Sequence, residues 1–93
     1  MEKEKPTKLI ELLQELMSET DKINIGKRYI AITEEVKAIT FIDTNLAHSP
    51  ELVYKHLIRL AIKDYIHSGH SQDSIKVLND IMAIISDSEI SRN

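Results

Sequence analysis

The stretch DYIHSGHSQDSI, Asp64 to Ile75, gathers the side chains best suited to chemistry in this chain. His67 and His70 lie three residues apart, and that spacing puts two side chains on one face of a helix. Two imidazoles on one face are half of a transition-metal site, and Asp64 and Asp73 place a carboxylate on either side. His67 and His70 are therefore the candidate metal ligands. Gly69 works against them, because glycine is the residue that most readily takes the left-handed turn ending a helix. In the competing reading His67 closes one helix, Ser68-Gly69 turns the chain, and Ser71 opens the next. His67 is then a cation near a helix C-terminus, where the dipole favours it, and His70 is a solvated loop residue. The corner is the preferred reading, and no metal or other cofactor is expected.

The remaining candidates for catalysis are thin. Glu34-Glu35 lies inside an amphipathic segment and reads as a solvated face, with Asp43 beyond its end; general acid–base work needs a carboxyl tuned by burial or a neighbour. None of the serines sits in a nucleophile-elbow context. There are 2 glycines and no cysteine, which excludes a glycine-rich phosphate loop, a thiolate metal site and a disulfide framework. No catalytic residue is assigned, and no enzyme is expected.

The elements that would position these residues are helices. Leu9, Leu12, Leu13, Leu16 and Met17 repeat at helical spacing, which predicts a helix over residues 7–18 with Thr7 able to cap it. Ile25, Tyr29, Ile32, Val36 and Ile39 step by four, three, four and three, predicting a second helix over 25–42. The same stretch is rich in β-branched residues around Gly26, so a hairpin over Ile23–Thr33 stands as its alternative. Ser49, Pro50 and Glu51 form a helix start of cap, first-turn proline and acid. The helix they open, 50–67, is apolar on most sides, including Leu57 and Leu60, and is expected to sit centrally. Ile75, Leu78, Ile81, Met82 and Ile85 form the stripe of a fourth helix, 72–86. Residues 1–5 and 87–93 are polar and read as frayed. Four amphipathic helices on short links make a single domain, residues 1–93, of the all-α class: an antiparallel bundle of about four helices.

Composition narrows the function further. Among 93 residues the net charge is −3 and aromatics are only 4%, so the core must be aliphatic and a general nucleic-acid surface is disfavoured. Lys27-Arg28, with Lys22 nearby and Tyr29 beside them, is the longest basic cluster and could touch a phosphate backbone. No apolar run approaches the roughly 20 residues of a membrane helix, so no membrane insertion is expected and the chain reads as cytoplasmic. Several apolar residues fall off the principal stripes: Tyr54, Val77 and Ile84, with Ile30 and Ile90. Grouped on a surface they mark a partner site or a homodimer contact.

The run from Ser49 to Ile85 resembles the second half of the immunity proteins for pediocin-like bacteriocins, through Leu52, Leu57, Leu60, Ala61, Ile66, Leu78 and Ile81. That resemblance implies a four-helix bundle that protects its producer by engaging a membrane receptor complex, with specificity near the C-terminus. The expectation is a small non-enzymatic binding protein that neutralises or regulates a partner protein, as immunity proteins, antitoxins and phage inhibitors do. The alternative is a small dimeric regulator contacting nucleic acid through Lys22, Lys27 and Arg28.

Overall fold

A computed structural model describes residues 4–42 and 50–92, with the backbone alone for 50–53. Four helices and two short strands follow in order: α1 Thr7–Ser18, α2 Lys22–Ala38, β1 Ile39–Phe41, α3 Pro50–His67, α4 Gln72–Ser86 and β2 Ile90–Arg92. The fold is all-α with one small antiparallel sheet. Three residues join α1 to α2 and four join α3 to α4, so each pair runs antiparallel. α1 packs on α2 and α4, and α3 packs on α4 and α2, which closes the bundle around one core.

The helices begin and end where short polar side chains satisfy free backbone groups. The Asp21 carboxylate accepts the Ile23 N–H at 2.8 Å and caps α2. This start lies three residues before the expected one, and Ile23 to Thr33 is helix, not hairpin. The helix stops at Ala38, not at residue 42, because the chain turns extended at Ile39 and enters β1. α1 begins at Thr7 behind Pro6, without a side-chain cap, so Thr7 is its first residue and not its cap. The proposed Ser49 cap of α3 and Asp43 lie outside the described residues.

The core is aliphatic, as the composition requires: Leu9, Leu13 and Leu16 of α1, Ile32 and Val36 of α2, Ile58 and Ile62 of α3, and Leu78 and Ile85 of α4. Each such side chain contributes about 1.5–3 kcal/mol on burial. α3 is not surrounded, however. Its buried stripe is Tyr54, Ile58, Ala61, Ile62 and Tyr65, while Leu57 and Leu60 face solvent.

The C-terminal segment is a strand, which overturns the frayed reading of the tail. β2 pairs antiparallel with β1 in the register Ile39–Arg92, Thr40–Ser91 and Phe41–Ile90. On its other edge Ile90 exchanges two 2.8 Å hydrogen bonds with Glu4. Ile90 is fully buried, although its sequence position had grouped it with surface residues. Phe41 stacks edge-on against Tyr54 at 5.0 Å between centroids, which closes this end of the core. Tyr54 is thus a core residue and not part of a partner surface.

Candidate interaction site

The corner between α3 and α4 has the geometry of a Schellman turn. The Gly69 N–H reaches the Ile66 carbonyl at 3.4 Å, and the His70 N–H reaches the Tyr65 carbonyl at 3.0 Å. Gly69 takes φ +69° and His70 φ +66°. The second value carries His70 back over the helix it has just left. Its ring stacks on Tyr65 at 4.3 Å and 7° between planes. His70 is therefore fixed on an aromatic face, while His67 is the exposed last residue of α3. No three histidine, cysteine or carboxylate side chains among the described residues are grouped to hold a metal. Ser71 caps α4 by accepting the Ser74 N–H at 3.2 Å. The Tyr65 hydroxyl donates to the Met17 carbonyl at 3.2 Å and ties the corner to the end of α1. Burial pushes that phenol above its usual value of 10.0.

A groove lies beside this corner, between the first half of α2 and the last turns of α3. One recess, about 340 Å³, is lined by Ile25, Gly26, Tyr29, Lys63, Ile66 and His67. A second, about 410 Å³, is lined by Thr20, Lys22, Ile25, Ile66, Gly69 and His70. The two share Ile25 and Ile66, so they form one continuous trough. Its floor is apolar: Ile25, Tyr29 and Ile66 are partly buried and pack on the core. Its rim carries Lys22, Lys63, His67 and His70, and no carboxylate lines either recess. Gly26 keeps the α2 wall low, since a Cβ there would meet nothing within 4 Å.

The basic cluster is divided by its partners. Arg28 is engaged twice: its Nε donates to Glu19 at 2.7 Å and its Nη1 to Glu15 at 2.9 Å. The Arg28 hydrogen bond holds the Glu19 carboxyl below its usual 4.5. Lys22 and Lys27 are exposed, but only Lys22 reaches the trough. Lys27 and Arg28 border a separate recess of about 290 Å³ whose wall includes Glu15. The three residues thus do not converge on one cationic surface.

Among the described residues the exposed large aliphatics are Ile23 and Ile30 on α2, Leu57 and Leu60 on α3, and Val77 and Ile84 on α4. Val77 and Ile84 stand in solvent as their off-stripe positions require. Leu57, Leu60 and Ile23 had counted as ordinary stripe or segment residues, and only the position of the neighbouring helices shows them uncovered.

Sequence reasoning also missed an ion cluster. Glu35, read as part of a solvated face, has a side chain only 4% exposed. It receives both arms of Arg92, at 3.1 and 2.7 Å. Arg92 also pairs with Glu4 at 2.9 Å, and Lys8 approaches Glu35 at 3.9 Å. A buried carboxylate with a bidentate guanidinium is a structural clamp, since its lone pairs are already taken. No signal local to residues 34–35 pointed to a partner 57 residues away.

No helix among the described residues is long and apolar enough to cross a membrane. No known protein family, curated protein or solved structure matches the chain.

Proposed function

We propose that this chain is a small non-enzymatic binding protein that neutralises or regulates a partner protein in the cytoplasm, in the manner of immunity proteins, antitoxins or phage inhibitors. The observation that carries this reading is the trough between α2 and α3, apolar on its floor and lined by Lys22, Lys63, His67 and His70 without a carboxylate. Such a trough suits an amphipathic segment of a partner that presents aliphatic anchors flanked by acidic residues. A shallow, open trough suits a peptide segment better than a small ligand, which pockets normally enclose on most sides. The resemblance of Ser49–Ile85 to bacteriocin immunity proteins points the same way. The nucleic-acid alternative has less support, because Glu15 and Glu19 already engage Arg28.

Affinity capture from the source organism tests the reading, with Gly26→Leu and Lys22→Glu as controls. Gly26→Leu puts a branched side chain into the trough from a position where a Cβ meets nothing within 4 Å, and Lys22→Glu reverses part of its rim. The expected result is a stoichiometric protein partner held by the wild type and lost by the double variant. A partner retained equally by both would remove the trough from the argument. Recovery of nucleic acid instead, with steep salt dependence, would favour the alternative.

A further inference from the structure

We propose that the trough between α2 and α3 takes an acidic amphipathic helix of the partner protein, laid along it as a fifth helix with its carboxylates on the α3 edge. This rests on the trough being the partner site and adds what the partner presents there. The two walls of the trough differ. Lys63 and His67, one turn apart, line the α3 wall. Arg59 stands one turn before Lys63 on the same edge of α3 and is exposed like both of them. The three basic side chains form a ladder about 12 Å long at the rise of a helix. Lys22 and His70 close its far end beside Gly69. The α2 wall is apolar instead. Gly26 lines it, and Ile23 and Ile30, three residues before Gly26 and four after, border that glycine on the helix surface. They are the two most exposed large aliphatics among the described residues, at 72% and 61%. The apolar floor of Ile25, Tyr29 and Ile66 therefore continues over the low wall onto both.

Charge selects the occupant. The chain as a whole carries −3, yet acid is kept off this face. Among the described residues Glu34 and Glu35 of α2 line a recess on the α1 side, and Asp64 of α3 lines neither part of the trough. Lys22, Arg59 and Lys63 make no ion pair among the described residues, so a carboxylate can meet each without breaking an older contact. Backbone selects the form of the occupant. Both walls are helices whose hydrogen bonds are internal, and they offer no sheet edge for an added strand. A helix brings its own backbone bonds and can lie on an apolar floor. Its aliphatic stripe covers the floor, one edge carries Asp or Glu every three or four residues against the ladder, and the other edge reaches Ile23 and Ile30. A nucleic acid would satisfy the ladder but leave its charged backbone against the apolar wall.

Selection against the full chain from a library of displayed helical peptides, about three turns long and randomised at their exposed positions, tests this. It needs no natural partner, so its failure is separable from that of the capture experiment. Enriched peptides should carry an aliphatic stripe bordered on one edge by Asp or Glu, and fluorescence anisotropy should show saturable binding. Lys63→Glu should weaken them roughly tenfold and Ile30→Ser roughly threefold or more. Both side chains are exposed, so circular dichroism and melting temperature should match the wild type. Replacing the facing Glu of the peptide by Lys should recover binding to Lys63→Glu. No enrichment, enriched peptides without an acidic edge, or peptides indifferent to either substitution overturn the proposal. So does a DNA duplex bound more tightly than the peptides in about 0.15 M salt.

Discussion

The two halves of this bundle manage charge in opposite ways. In the α1–α2–β half both arginines are spent inside the molecule: Arg28 on Glu15 and Glu19, and Arg92 on Glu35 and Glu4. In the α3–α4 half Arg59, Lys63, Asp73 and Asp80 are exposed and carry no such partner among the described residues, and Lys63 lines the trough. A satisfied ion pair is of little use to a second molecule, because its rupture must be offset before a new contact gains anything. The difference therefore separates a half that holds the fold from a half free to meet something else.

The sharpest way to break this comparison is Arg92→Ala. It strips the bidentate partner from a buried Glu35 and leaves only the distant Lys8. Unfolding free energy in urea should fall by more than for the loss of any exposed charge, because the carboxylate left behind is buried. Lys63→Ala and Asp80→Ala should each change it by less than about 0.5 kcal/mol. Equal losses from all three would erase the distinction.

A smaller effect probes the tie between the halves. Tyr65→Phe deletes the hydroxyl that reaches from α3 to the Met17 carbonyl. It should cost about 0.5–1.5 kcal/mol by the same measurement. The raised phenol also has a sign. An unfolded tyrosine ionises near 10 while the folded one keeps its proton, so stability is intact below that value and falls as the pH climbs through the folded one. Tyr65→Phe should flatten that alkaline decline.

Gly26→Ala should act in the other direction. Gly26 is helical, exposed and without a neighbour to clash with, so alanine should raise stability by about 0.5–1 kcal/mol. A loss there would show the trough wall to be tighter than its open side suggests.

The smallest change is spectroscopic. The lowered Glu19 carboxyl contributes stability that is present above 4.5 and lost as the pH falls through its folded value. In Arg28→Ala the Glu19 titration followed by NMR should move up towards 4.5. If it stays put, Arg28 is not what holds it.

Much of the helical framework was legible because its signals are local. The stripes of α1, α3 and α4 repeat over several turns, and Ser71 with Gly69 marks a corner wherever it occurs. The second helix was less legible. Asp21 as cap and the early start at Lys22 were hidden by the β-branched run after it, which also kept a hairpin open. The sheet left no readable trace. Three residues are too few to show alternation, and Ile90-Ser91-Arg92 resembles any polar end until Ile39–Phe41 lies beside it. The trough was equally invisible, since Ile25, Tyr29 and Ile66 belong to two helices and read simply as stripe residues. His67 and His70 attracted attention as a pair, but their placement differs: one is a free helix end, the other is stacked on Tyr65.

The β1–β2 pairing also bears on how the chain reaches and leaves its folded state. Most helix contacts here join neighbours in sequence, whereas Phe41 and Ile90 meet across about 50 residues. Closing so long a loop is entropically slow to be rewarded. The strand should therefore dock after the barrier to folding has been crossed. Loosening it through Arg92 should leave the refolding rate nearly unchanged and speed unfolding instead. The last few residues would then govern how long the assembled bundle survives, not how fast it assembles.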